Sequence, residues 1–288
     1  MEAKIQTIHD IRRLLNSQLR DIVEESELDP HITVILRHIL RIEGMYGIMT
    51  YDKPVTEKET QKALEICREI RSGRPIQYVL GETHFYNCTI RLHGHELIPR
   101  PETEELVDCV IKENKGFTGS IVDIGTGSGC IAVALASNLP RAAITGVDIS
   151  EDALNTAIEN SELNKVKISF IRGDILDRSF STGEPAGIIV SNPPYVMEKE
   201  KAQMSHRVLD HEPPGALFVP DSDPLLFYRA ILRFASHSLV PGGKVYFEIN
   251  ESLGKEMITI LDSAGFKNIE LVKDINSKDR IVKALKNA

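Results

Sequence analysis

The chain has 288 residues, 42% hydrophobic and 26% charged, with 34 basic and 42 acidic side chains and a formal net charge of −8. That length accommodates one large or two ordinary domains. The acidic balance argues against a protein whose main task is gripping nucleic-acid backbone, which leaves a basic footprint, and no apolar run approaches the ~20 residues that span a bilayer.

The first residues, MEAKIQTIHDIRRLL, are charged throughout and lack the apolar stretch of a signal peptide. A cytoplasmic location is expected, with no membrane partner and no direct nucleic-acid partner. Cys67, Cys88, Cys109 and Cys130 are widely spaced and form no CxxC, and the nine histidines show no metal-like spacing. No metal is expected, and each cysteine is expected to pack as a small hydrophobe.

Ile5, Ile8, Ile11, Leu15, Leu19 and Ile22 recur at spacings of three and four, the stripe of an amphipathic helix. Asp29-Pro30 is expected to break it. A second stripe, Ile32, Ile35, Ile39 and Ile42, follows. Thr56, with Glu59 three residues on, reads as a capping box opening a helix that stops near Gly73, ahead of Pro75. Residues 1–82 are therefore predicted to form a small helical domain. In FYNCTIRLHGHELIPR, Tyr86, Cys88, Ile90 and Leu92 alternate as in a half-buried strand. His93-Gly94-His95 reads as a turn and ELIP as the return strand, giving a hairpin linker over 83–99.

From residue 100 to 288 the pattern changes. SIVDIG, AAITGVDIS, KISFIRGD, GIIVSNPPY and KVYFEIN are short apolar strands separated by helical stretches. Such alternation implies βαβ units and a doubly wound, mainly parallel α/β sheet. KNIELVKDI and RIVKALK are too close for a helical crossover and should pair antiparallel. A seven-stranded sheet closed in this way is the class I methyltransferase variant of the fold.

VDIGTGSGCIAVALA runs from a strand through glycines into a helix. Gly125, Gly127 and Gly129 let the backbone turn sharply and approach a ligand, with Thr126 and Ser128 between them. The spacing is GxGxG rather than the GxGxxG of dinucleotide sites. Asp123 precedes the loop, where a carboxylate suits an ammonium and repels a pyrophosphate. Asp148 ends the next strand, where an acid holds ribose hydroxyls. An ammonium at one end and a ribose at the other describe S-adenosylmethionine. The plainer alternative is a tight strand–helix turn whose aspartates cap backbone. Asp174, at the end of the third strand, is placed either to accept from an adenine amino group, with Ile175 against the ring, or simply to close a turn.

Asn192-Pro193-Pro194-Tyr195 follows the fourth strand, which lies beside the first in the methyltransferase strand order. A nitrogen in a planar conjugated group is a poor nucleophile because its lone pair is delocalised. A site that methylates it must hold the NH2 in line and accept both N–H bonds. The Asn192 side-chain oxygen can accept one and the Pro193 carbonyl the other, while Tyr195 offers a flat face. Catalysis is then mostly positioning. Read blandly, Pro193-Pro194 only terminates a strand.

NPPY behind GxGxG resembles the amino methyltransferases that act on exocyclic or amide nitrogens. LIPRPETEELV, GRPIQYVLGETHFY, HEPPGALF and LLFYRAI resemble elements of the protein-(glutamine-N5) methyltransferases of the release-factor type, the PrmC/HemK family. The resemblance covers most of the chain. It implies S-adenosylmethionine as cofactor and, as substrate, the glutamine of the GGQ loop in class-1 peptide chain release factors. That side-chain amide would sit against Asn192 to Tyr195, and the family's N-terminal helices help hold the release factor. In the family the glycine loop and the positions matching Asp148 and Asn192 bind cofactor. FVPDSDP and Asn250 in FEIN depart from the family pattern around the substrate. Arg100 and Glu102 either form an exposed salt bridge at the head of a helix or border the pocket, and Glu212 and Tyr228 are further candidates for shaping it. The alternative substrate is an exocyclic amine of a nucleobase in RNA or DNA, which presents the same planar NH2 but requires base flipping. A non-catalytic binder on the same fold would not need an intact NPPY.

Overall fold

Thr7 opens the first helix with a reciprocal cap. Its hydroxyl accepts the Asp10 N–H, and Asp10 Oδ2 accepts the Thr7 N–H. In the computed structural model, which describes residues 6–41 and 52–287, this helix is α1 (Ile8–Leu19). Ile8, Ile11, Leu15 and Leu19 are fully buried along one stripe, with Ile22 partly buried behind them. Ile5 and Ile42 of the two expected stripes lie outside the described residues.

Helix α2 (Glu25–Leu40) contains Pro30, contrary to the expected break. The chain leaves α1 earlier, at the turn Ile22 N–H to Leu19 O. Pro30 then falls near the start of α2, where a missing N–H costs one helical hydrogen bond without cutting the middle of the helix. Thr56 and Glu59 form the expected box ahead of α3 (Glu57–Arg71), and Gly73 lies beyond its end at φ 97°. The short α4 (Ile76–Leu80) closes on Gly81 in the left-handed region. Arg71 clasps Asp21 through its Nη1 and Nη2, tying the end of α3 to the turn after α1.

The chain divides into two compact units. The smaller comprises Met1–Gly81 with His206–His211, and the larger Glu82–Ser205 with Glu212–Ala288.

The larger unit opens with a hairpin of β1 (Glu82–Phe85) and β2 (Cys88–Arg91). Its turn is Tyr86-Asn87, both at positive φ; the chain does bend at Gly94–Glu96, with Gly94 at φ 90°, but ELIP forms no return strand and that bend closes no hairpin. The two-residue turn twists with the strands, which suits a tight hairpin. The later segment is instead closed by Glu96, whose carboxylate accepts the N–H groups of His93 and His95.

There follow α5 (Pro101–Glu113), β3 (Ser120–Ile124), α6 (Cys130–Asn138), β4 (Ala143–Asp148), α7 (Glu151–Leu163), β5 (Ile168–Arg172), β6 (Ala186–Ser191) and β7 (Val196–Met197). Then come α8 (His206–Leu209), which belongs to the smaller unit, α9 (Pro214–Leu217), β8 (Phe218–Val219), α10 (Leu226–Ser238), β9 (Leu239–Glu248), α11 (Gly254–Ser263), β10 (Phe266–Lys273) and β11 (Asp279–Lys286). The main sheet has seven strands in the order β10-β11-β9-β6-β3-β4-β5. Only β11 runs antiparallel, pairing β10 and β9. β7 and β8 form a separate two-stranded ribbon. No helix among the described residues is long and apolar enough to cross a membrane.

Alternation along the strands assigns the faces. Val122, Ile124, Ile189, Val245 and Phe247 pack with Tyr228 and Ile231 of α10 and Met257 and Leu261 of α11. The intervening residues, Asp123, Tyr246 and Glu248 among them, point to the face covered by α5. There the Tyr246 hydroxyl donates to Glu113 of α5.

Two asparagines stitch the hairpin to α7. Asn164 exchanges hydrogen bonds with the backbone N–H and carbonyl of Thr89, at 3.2 and 2.8 Å. Asn160 does the same with Arg91, at 2.7 and 3.1 Å. Four helical residues rise about 6 Å and two strand residues about 6.6 Å, so the spacings match. Asn160, fully buried, also donates to the Ser128 carbonyl in the glycine loop. Asn160→Leu keeps the branched shape but strands three backbone groups, and is expected to cost about 3 kcal/mol of stability. A denaturant midpoint within error of the wild type would show that these bonds are dispensable.

Candidate active site

The parallel strands β3, β4, β5 and β6 end together, and the candidate residues sit at these ends or just beyond. Gly125, Gly127 and Gly129 all have positive φ, at 74°, 53° and 78°. A Cβ on Gly125 or Gly127 would meet open space, whereas one on Gly129 would stand 2.9 Å from the Ala157 Cβ. The first two glycines thus serve backbone conformation, with open space beside them, and the third also serves the approach of α7.

Asp123 is fully buried. One oxygen accepts the Thr126 hydroxyl at 2.6 Å, while Oδ1 has no partner, nor has the buried Ser128 hydroxyl. Buried polar atoms without partners are uncommon in folded proteins. A ligand carrying an ammonium group would satisfy Asp123. Burial, helped by the facing Asp148 charge and opposed by the Thr126 hydroxyl, pushes the Asp123 carboxyl up to about 7. Asp148 accepts the N–H groups of Gly127 and Ser150, at 2.8 and 2.9 Å. Its pKa is also raised by burial. A carboxylate offers about four lone-pair sites, so positions remain for hydroxyls. Asp174 accepts the Leu176 N–H at 2.8 Å, which makes it a turn-closing residue, and Ile175 packs at the edge of the core. The candidates for a cofactor therefore line one edge of the sheet, and their donor set suits an amino acid joined to a nucleoside.

Asn192, Pro193, Pro194 and Tyr195 follow β6, which pairs in parallel with β3. The Asn192 Nδ2 donates to Thr103 Oγ1 at 3.1 Å. Thr103 donates in turn to Glu248 Oε2 at 2.7 Å, and the Tyr195 hydroxyl donates to Glu248 Oε1 at 3.0 Å. Tyr228 donates to the Glu248 carbonyl. Burial, reinforced by the Glu248 charge, pushes the Tyr195 phenol far above its ordinary range, so it remains a donor. Burial likewise raises the Glu248 carboxyl, against the pull of Thr103, Tyr195 and the Arg280 guanidinium. The departing Asn250 has a partner set of its own. Its amide donates to both oxygens of Glu200 and to the Tyr195 carbonyl, bracing the chain behind NPPY.

Arg100 does not pair with Glu102 in an exposed bridge. Its partner is Glu212, 3% exposed, at 2.6 Å, and the second Glu212 oxygen accepts the Ile98 N–H. Glu212 outcompetes Glu102 because its two oxygens serve a cation and a backbone donor together. Glu102 lies in the first turn of α5, where an acid suits the helix dipole. Thr103 and Glu248 were not singled out from the sequence. Nothing local marks them, since their roles arise from contacts 89 and 145 residues away along the chain. Among the described residues no cluster of His, Cys, Asp and Glu could hold a metal ion.

This strand order, with a glycine loop after β3 and NPPY after β6, defines a methyltransferase. The model of the methyltransferase small domain matches residues 101–214, and that of the PrmC N-terminal domain residues 10–81. A release factor glutamine methyltransferase of Flavobacterium psychrophilum is 41% identical over 280 residues, 96% of this chain and 98% of the relative. One of Bacteroides thetaiotaomicron is 40% identical, covering 95% and 98%. A solved 16S rRNA N2 G1207 methyltransferase of T. thermophilus, in complex with AdoMet and guanosine, shares the fold. It has a TM-score of 0.51 at 18% identity over 72% of this chain and 50% of that one. The chain belongs to the family of release factor glutamine methyltransferases.

Replacing Gly129 with alanine adds a steric clash to an unfavourable φ and is expected to destabilise by about 2–4 kcal/mol. At Gly125, where φ is similar and space is open, the cost is about 1–2 kcal/mol. Chemical denaturation of the two variants measures the difference, and equal costs would remove the packing role of Gly129.

Proposed function

We propose that the protein transfers a methyl group from S-adenosylmethionine to the side-chain amide nitrogen of the glutamine in the GGQ loop of class-1 peptide chain release factors. The observation that carries this reading is the placement of Asn192 one residue past a strand that pairs with the strand leading into the glycine loop. Family membership supports the choice of a glutamine amide over a nucleobase amine. A cytoplasmic location follows from that substrate.

When bound, S-adenosylmethionine supplies an electrophilic methyl group on a cationic sulfur. Asp123 Oδ1 would meet its ammonium, with Gly125, Thr126, Gly127, Ser128 and Gly129 lining the amino-acid end. Asp148 would hold the ribose hydroxyls, and Asp174 and Ile175 would border the adenine. Asn192 would stand between this group and the substrate. Its Oδ1 accepts one N–H of the glutamine amide and the Pro193 carbonyl accepts the other. Pro193 and Pro194 hold that carbonyl's direction, and Tyr195 packs against the amide plane. These acceptors stabilise the positive charge that grows on the nitrogen, and the released proton leaves along one of them. Arg100 and Glu102 would border the substrate, with Arg100 anchored by Glu212.

Mass spectrometry of the release-factor GGQ peptide, after incubation with enzyme and cofactor, is expected to find one added methyl group on the glutamine. Asn192→Ala is expected to keep the fold but lower kcat about 100-fold or more. Methylation of RNA or DNA without methylation of the release factor would favour the nucleobase reading.

The Asp123 carboxyl must lose its proton to pair with an ammonium. Since burial raises it to about 7, cofactor affinity is expected to weaken as the pH falls below that value, by up to about tenfold per unit. Calorimetric titration at several pH values measures the slope. In Asp123→Asn the slope should flatten and affinity should be low throughout. An unchanged slope would assign the pH dependence elsewhere, with Asp148 the nearest candidate.

A further inference from the structure

Thr103 sits in the first turn of α5 and Glu248 at the end of β9, and both are almost completely buried, at 2% and 1% exposure. An ionised carboxylate only accepts hydrogen bonds. Thr103 and Tyr195 each donate to one oxygen of Glu248, the arrangement its ionised form requires. A hydroxyl has one proton. Once the Thr103 proton is committed to Glu248, its oxygen offers Asn192 only lone pairs. The Asn192 amide must then turn its NH2 toward Thr103, as it does at 3.1 Å. Its carbonyl oxygen is left for the substrate. The opposite flip would set oxygen against oxygen at Thr103 and present an NH2 to the substrate's own NH2.

We propose that Glu248 and Thr103 are positioning residues that fix the flip of the Asn192 amide, so that its oxygen and not its nitrogen faces the substrate NH2. This rests on the function proposed above. Glu248 does not touch the reacting groups. It acts through the Thr103 hydroxyl, while its other oxygen holds Tyr195 and so ties both sides of NPPY to one buried acceptor. Tyr228 fixes the Glu248 backbone by donating to its carbonyl at 2.9 Å. Burial, with Glu102, works against the charged carboxylate, and the Thr103 and Tyr195 hydroxyls together with Arg280 favour it.

The experiment measures methyl transfer to full-length release factor by wild type, Thr103→Val, Thr103→Ser, Glu248→Gln and Asn192→Ala, with thermal midpoint and cofactor affinity recorded for each. Thr103→Val keeps the shape but removes the acceptor. It is expected to lower kcat about 10- to 100-fold with little change in KM. Thr103→Ser, which keeps the hydroxyl, should stay within about threefold of wild type. Because Thr103 acts through Asn192, Thr103→Val in the Asn192→Ala background should have almost no further effect. The Asn192 side-chain amide signals in NMR, identified by their loss in Asn192→Ala, should shift in Thr103→Val. Should Thr103→Val fold poorly, Glu248→Gln tests the same point, because its amide lets the Thr103 proton turn toward Asn192 and kcat should fall. Wild-type kcat in Thr103→Val, or an equal loss with and without Asn192, would overturn the relay. A wild-type enzyme that leaves the release factor unmethylated would overturn the proposed function, and the relay with it.

Discussion

Ile124 and Ser191 lie side by side as the last residues of β3 and β6, and the buried Ser191 hydroxyl donates to the Ile124 carbonyl at 2.6 Å. The next residue on one strand is Gly125 and on the other Asn192. This junction brings together two loops 67 residues apart in sequence. The parallel sheet makes it possible. Strands paired in the same direction end at the same edge, so the backbone groups that stop bonding there can turn to a ligand. A small displacement at this edge would move the glycine loop relative to NPPY, and positional catalysis tolerates little of that.

Around the junction, polar groups are buried on the face covered by α5, while the opposite face is apolar. Val122, Ile124, Ile189 and Phe247 anchor the strands against α10 and α11. The residues that alternate with them, Asp123 and Glu248 included, are free to carry charge. Period two thus lets one strand serve both purposes. The hairpin contributes from outside the sheet. Asn160 bonds Arg91 and the Ser128 carbonyl at once, so its hold on the hairpin also steadies the glycine loop.

Features that act through neighbouring residues were legible in the sequence. The Thr56–Glu59 cap, the glycine spacing, the acid ending β4 and the Pro-Pro pair each have a local physical cause. The parallel strands were readable because burial on both faces makes them continuous apolar runs. Features that depend on distant partners were not. Pro30 looked like a breaker, but the chain had already turned after Leu19. The hairpin turn moved to Tyr86-Asn87 because two non-glycine residues accept positive φ there, which a strand pattern does not reveal. For Arg100 and Glu102 an exposed salt bridge and a place at the pocket were both open, whereas the residue that takes Arg100, Glu212, comes from a segment 112 residues later. Thr103 and Glu248 are ordinary residues of a helix start and a strand end until the fold joins them.

Two of the buried carboxylates of the site, Glu248 and Asp123, differ in a way that separates their tasks. Glu248 is complete: each oxygen accepts a hydroxyl, and its backbone carbonyl is held as well. Such a group resists rearrangement, since losing any partner leaves a buried charge exposed to an apolar surrounding. Asp123 is incomplete: one oxygen is bonded and the other is buried without a partner. A buried acceptor without a donor is costly, and an ammonium brought to it would supply the missing hydrogen bond. A complete network can define direction, as at the Asn192 amide. An incomplete one can supply binding energy, because the hydrogen bond it lacks forms only with the ligand. The strand edge therefore places a group that aims beside a group that captures.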